Sequence, residues 1–157
     1  MAIVHARVDE RLIHGQVAMV WTNTVGATRI VVVNDEAVKD ELIIAGLKMA
    51  KPAGVKLSIL SVKRAGEKFA AGEYKDDKVF LITKNVADMA ALIRTGLPLA
   101  GFNVGNVAKR EGSRPIKKSV SLTDQEIADI RDLTEQGIRI TAQMLPNESD
   151  QSILNLL

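Results

Sequence analysis

The segment "VDERLIHGQV", residues 8 to 17, sets two acids, an arginine and one of the chain's two histidines between an apolar run and an amphipathic one. A neutral imidazole nitrogen is a nucleophile at physiological pH. A guanidinium beside it can neutralise the charge that gathers on the equatorial oxygens of a phosphoryl group in transfer. Arg11 and His14 stand three residues apart and converge on one such group if the loop curls into the first turn of a helix. Asp9 then has two roles open to it, fixing the arginine or holding the imidazole tautomer. Gly15 allows close backbone approach. Taken one at a time, the same residues read as a solvated turn histidine and a surface ion pair of little energetic consequence.

Other chemistries fit the sequence poorly. Metal ligation lacks a second histidine at helical spacing, and His5 stands too far along an extended segment from His14 to pair with it, so no metal is expected. The loop carries one glycine rather than G-x-G-x-x-G, the chain has no G-x-x-x-x-G-K-[ST], and no G-x-S-x-G elbow presents a serine. His5 shares the parity of Arg7 and Asp9 on a strand, where it is expected to pack with its polar atoms satisfied or to face solvent near an edge.

The elements that must position this loop are legible from periodicity. Valine- and isoleucine-rich runs alternate with helical patterns: Ile3 to Asp9, then a helix from Gly15 to Val25 ended by Gly26, then "RIVVVN". The segment 35–54 reads as a helix broken near Asp40. "VKLSILS", a helix at 62–71, "KVFLIT", the helix "NVADMAALIRTG" and "LAGFNV" continue the alternation. "GNVAKREGSRP" is too polar and glycine-broken for a packed crossover helix, so the next strand, "KKSVSL", is expected antiparallel to "LAGFNV". Thr123 and Glu126 form a capping box for a helix over 124–136, "IRITAQML" supplies strand seven, and Pro146 opens a short polar tail. The order predicts one α/β domain over residues 1–157: an open, twisted, mostly parallel sheet of about seven strands with helices on both faces. Ligands bind such sheets beyond the carboxyl ends of the strands, where the opening loop lies, at the anion-favouring N-terminus of the first helix.

Composition bounds the rest. With 157 residues, 46% apolar and 25% charged, the chain can bury one core and is not of the disordered class. Aromatics at 3% and a net charge of +2 argue against a nucleic-acid partner. There is no cysteine, no signal-peptide pattern and no apolar run long enough to span a bilayer, so a cytoplasmic protein without direct membrane insertion is expected. Trp21 and the apolar helix around it fit a core or a homo-oligomer interface equally.

The run "ARVDERLIHGQV" resembles the phosphocarrier loop of the IIB components of the mannose/fructose/sorbose class of the sugar phosphotransferase system. The similarity extends through "RIVVVNDEAVKDE", "LKMAKPAGVKLSILSV", "FNVGN" and "IKKSVSLTDQEIADIRDLTEQGI". It implies that a phosphorylated IIA component passes phosphate to His14, which gives it to a sugar held by a membrane-embedded IIC/IID transporter, with no cofactor. It also assigns Asp9 and Arg11 to the loop's aspartate and arginine, Gly15 and Gln16 to the phosphate-binding positions after His14, and a matching place to Arg7. The chain departs from the family pattern at "NVGNV", with Asn106 where a second glycine is usual, and at "EGSRP". Lys109, Arg110 and Arg114 in that late loop read as a solvated loop or as a patch that docks a partner protein. A second class of function stays open beside this one: a non-catalytic regulatory domain that binds an anion or nucleotide at the same strand ends. As a receiver it would need a phosphate-accepting aspartate after strand three and a lysine after strand five, where the chain has "LSILS" and "FNVGN".

Overall fold

A computed structural model describes residues 3–157. Its first strands and helices run β1 (Ile3–Asp9), α1 (Gly15–Val25), β2 (Arg29–Val33), α2 (Glu41–Ala50), β3 (Lys56–Leu60) and α3 (Val62–Ala70). They are followed by β4 (Val79–Thr83), α4 (Val86–Arg94), β5 (Gly101–Asn106), β6 (Ser113–Lys117), β7 (Val120–Thr123), α5 (Asp124–Glu135) and β8 (Arg139–Ala142). Six strands form one parallel sheet in the order β3-β2-β4-β1-β5-β8. The central strands are continuous apolar runs because both faces are covered. Val31, Val33, Val79 and Leu81 point into a core closed by α3, α4 and α5. Ile30, Val32, Phe80 and Ile82 point to the opposite face, closed by Trp21 of α1 and Leu47 of α2.

Local signals set the helix boundaries. Gly26 ends α1 in the left-handed conformation (φ 68°), which costs a glycine little. Asp40 interrupts the 35–54 segment as expected: a short 3-10 turn, Ala37–Lys39, ends there, and the Asp40 side chain accepts from the amides of Leu42 and Ile43 to start α2. The Thr123–Glu126 capping box is formed in both directions.

Three expectations are corrected. The main sheet has six strands rather than seven, all parallel. "KKSVSL" is not one strand antiparallel to β5: it folds back at Lys118 and Ser119, so that β6 and β7 pair antiparallel with each other as a separate hairpin. Only Val107, just past β5, bridges to Val120, and in the parallel sense. The polar segment before it leaves enough free chain for a hairpin to close locally, at a smaller loop-closure cost than a long-range pairing. Finally, the end of the chain is not only a polar tail. It returns to bridge Thr141 to Ser152 and forms a 3-10 turn, Ile153–Leu156, whose Ile153 is fully buried in the larger core.

Candidate active site

β1 lies between β4 and β5, so its carboxyl end opens near the middle of the sheet. The carboxylate of Asp9, 1% exposed, is where the polar contacts of that end meet. Arg11 holds it with Nε to Oδ1 (2.9 Å) and Nη2 to Oδ2 (2.8 Å), and the Arg11 backbone N–H donates to Oδ1 (3.0 Å). Arg7, also 1% exposed, donates from Nη2 to Oδ2 (3.3 Å) and from Nη1 to the Gln143 carbonyl (2.9 Å). Both guanidinium groups also reach the sulfur of Met144, at 3.5 and 3.6 Å. The question left open for Asp9 is thereby answered: its carboxylate is taken up by two arginines, and the site is an Arg–Asp–Arg cluster, with Arg7 and Asp9 buried and Arg11 part-exposed, rather than a surface pair. Burial pulls the Arg7 pKa below its ordinary value and Asp9 opposes that pull, whereas the hydrogen bond to Asp9 raises Arg11. Both guanidinium groups stay charged.

The loop turns sharply after this cluster. Leu12 N–H donates to the Asp9 carbonyl (2.9 Å), and Leu12 adopts the left-handed conformation at φ 61°, the one non-glycine among the described residues to do so. Such a conformation costs roughly 1 kcal/mol for an L-residue. Burial of Leu12 and Ile13 (6% and 5% exposed) against the α1–α2 core offsets it. With those two side chains pulled inward, the next residue is turned out. His14 is the exposed N-cap of α1 and its side chain caps no amide. Its carbonyl accepts the first intrahelical bond, from Ala18 (2.8 Å), which leaves the amides of Gly15, Gln16 and Val17 without helical partners, facing outward at the positive end of the helix dipole. Gly15 and Gln16 are exposed.

Two contributors were not legible in the sequence. Gly105, inside the "FNVGN" run, lies against Arg7: a Cβ there would collide with the guanidinium. The first glycine of that run is therefore the one the cluster requires, and Asn106 at the second position only lends its carbonyl to the amide of Glu10 (2.9 Å). The other is the chain after β8, where the Gln143 carbonyl, held also by Asn103 Nδ2 (2.8 Å), and the Met144 sulfur wall in the arginines. Trp21 is core, 5% exposed, with its Nε1 donating to the Met144 carbonyl (3.0 Å). His5 stacks on it (4.1 Å between rings, 13°), and its Nε2 is buried with no partner among the described residues, contrary to the expected satisfaction of its polar atoms. Burial first and the charge of Arg7 second push the His5 pKa down to about 4.

The late-loop cations separate. Lys109, Arg110 and Arg114 are all exposed, but Arg110 is tied back to the Glu126 carboxylate and to the Ser121 carbonyl (3.3 Å). A cleft of about 270 Å³ opens beside the loop, bordered by Glu10, Arg11, Leu12, Asn34 and Lys84. A larger one, about 510 Å³, lies toward the amino ends of the strands around Ile3, His5 and Gly101, away from His14. Among the described residues no group of acids and histidines is arranged to hold a metal, and no helix is long and apolar enough to cross a membrane.

An exposed histidine at a helix N-terminus, beside an Arg–Asp–Arg cluster, meets a decisive match: the family described as the sorbose subfamily IIB component of the PTS covers residues 3–157. The chain belongs to this family. The IIB chain is 34% identical to the sorbose-specific EIIB component of Klebsiella pneumoniae, over 99% of its own length and 94% of the relative's. It is 33% identical to the fructose-specific EIIB component of Bacillus subtilis, over 100% and 96%. It also matches the mannose-specific EIIAB component of Escherichia coli K12 at 30% identity, there covering 49% of a longer chain. The crystal structure of the IIBSor domain of the sorbose permease from Klebsiella pneumoniae superposes with a TM-score of 0.94, over 99% of this chain and 96% of that one. This IIB is thus a phosphotransferase component of a sugar phosphotransferase system.

Proposed function

We propose that residues 1–157 act as a single phosphohistidine carrier domain, accepting a phosphoryl group on His14 from a phosphorylated IIA component. The domain then gives that group to a sugar bound by a membrane-embedded IIC/IID transporter, working at the cytoplasmic side of the complex. The observation that carries the reading is the placement of His14: exposed, capping no amide, and set where outward-facing helix amides adjoin the arginine cluster. In the accepting step the neutral His14 ring attacks phosphorus, a new N–P bond forms, and the donor's N–P bond breaks with its electron pair returning to the donor imidazole. Charge peaks on the three equatorial oxygens. Arg11, whose Nε and Nη2 are bonded to Asp9, keeps Nη1 for one of those oxygens, and the amides of Gly15 and Gln16 supply others. Arg7 and Asp9 position Arg11 and touch nothing that reacts. In the donating step a sugar hydroxyl oxygen attacks phosphorus in place of the incoming imidazole. The His14 N–P bond breaks with its electron pair returning to the ring, whose other nitrogen keeps the proton it already carried, and the hydroxyl proton passes to solvent. No cofactor enters. The pairing of IIA with IIB is supported by the relative whose single chain is described as EIIAB.

Incubation with a labelled, phosphorylated IIA donor followed by peptide mapping tests this. The expected result is one acid-labile phosphate per chain, on His14, absent from His14→Ala. Label retained in that variant overturns the assignment, and reversible association with no covalent label would make the protein a binding domain instead.

A further inference from the structure

β1 and β4 are neighbours in the sheet, and the chain leaves β1 over one face through α1 and β4 over the other through α4, so the loops after these two strands stand on opposite faces with a cleft between them. One wall is the loop segment from Glu10 to Ile13 that leads into His14. The other begins at Lys84, which follows Thr83, the residue in register with Val8 of β1, and therefore lies across from Asp9. Lys84 and Arg11 border the same cleft of about 270 Å³. The residues flanking Lys84 are committed to the turn: Thr83 Oγ1 donates to the Asn85 carbonyl (3.0 Å), and Asn85 Oδ1 caps α4 by accepting from the Asp88 amide (2.7 Å). Asp88, the carboxylate that feels the lysine's charge, is held by the Asn34 side-chain amide instead (2.8 Å). Among the described residues the Lys84 side chain has no hydrogen bond or ion pair, and Arg11 is already spent in part on Asp9.

We infer that Lys84 is a second phosphoryl-contacting cation, whose ammonium crosses the mouth of the cleft and meets an oxygen of the group in transfer from the side opposite Arg11. The inference rests on the carrier reading above. The division of labour follows from the two side chains: Arg11 is a fork held rigidly by Asp9, while Lys84 is a mobile point charge on a flexible stem, able to follow the phosphorus as it moves from donor to His14 and from His14 to sugar. It also has a bland competitor, in which Lys84 only balances the carboxylates of Glu10, Asp35, Glu36 and Asp88 around the crevice.

Single-turnover transfer of labelled phosphate from phosphorylated IIA to Lys84→Gln and Lys84→Arg separates the two, with donor concentration varied and thermal melting recorded alongside. A contact made in the transition state predicts a maximal rate lower by on the order of 10-fold or more in Lys84→Gln, little change in half-saturation, recovery of most of the rate in Lys84→Arg, and an unchanged melting temperature. A Lys84→Gln rate within about twofold of wild type, with His14 labelled normally, overturns the inference. So does a parallel loss of rate and melting temperature that Glu10→Gln or Asp88→Asn reverses, which would identify a charge-balancing residue. Wild-type protein that takes no label at all fails the carrier reading itself, and this inference falls with it.

Discussion

Arg7 shows how a charged residue becomes structural. It matches the family's loop by type, yet nothing local distinguishes it from a solvated strand residue. Only when β5 and the segment after β8 close over it do its contacts appear, to Asp9, the Gln143 carbonyl and the Met144 sulfur. Removing one member of such a buried cluster leaves another uncompensated, so Asp9→Asn is expected to cost about 3 kcal/mol or more in urea unfolding, besides freeing Arg11. Gly105→Ala should destabilise for a steric reason: the methyl takes the place of the Arg7 guanidinium, costing about 1–3 kcal/mol and slowing transfer because the cluster must shift. Arg11→Lys separates position from charge. It keeps the cation but loses the fork that grips both oxygens of Asp9, so the protein should still fold, with a melting temperature lowered less than in Asp9→Asn, and transfer phosphate at least ~10-fold more slowly. An unchanged rate would leave Arg11 with no part in the reaction.

Among the elements, the ones with caps written into them were readable and the hairpin was not. The Thr123–Glu126 box marks the start of α5 in the sequence and is found there, and Thr123→Ala should cost about 1 kcal/mol. The pairing of "KKSVSL" depended on where the chain could close, not on its β-propensity. The hairpin also divides the three late-loop cations. Because Arg110 bonds to Glu126, which caps α5, reversing it would disturb the helix start and confuse any docking measurement. The proposal that this loop docks a partner is therefore best tested on Lys109→Glu with Arg114→Glu. If these exposed cations steer an acidic donor, the double variant should associate more slowly in stopped-flow transfer, with a weaker dependence on salt. Equal salt slopes would make them solvated loop residues.

At the scale of the molecule, the parity of β1 sets one face of the sheet against α1 with His5, Arg7 and Asp9 all on it, and this has a pH signature. His5 is held neutral by burial, with its pKa near 4 against 6.5 for an ordinary histidine. The unfolded chain takes up a proton on this residue as pH falls below 6.5, and the folded one refuses it until about 4, so stability is fully present above 6.5 and is lost through that window. Between pH 7.5 and 4.5 the melting temperature of wild type should fall further than that of His5→Leu, and parallel curves would show that His5 is not the group responsible. The sequence by itself determined most of the strand and helix succession, the caps and the loop that carries His14 and its arginine. These are written in periodicity and residue type over a few neighbouring residues, while the family was legible only as a resemblance running along nearly the whole chain. Only the tertiary structure decided that Asp9 serves two arginines, that Gly105 leaves room for one of them, that Met144 walls both, and that Lys84 faces the loop across a crevice. The physical reason is that these contacts join residues up to 137 positions apart. They follow from the insertion of β1 between β4 and β5, a choice made by burying both faces of the whole sheet at once and not by the preference of any segment.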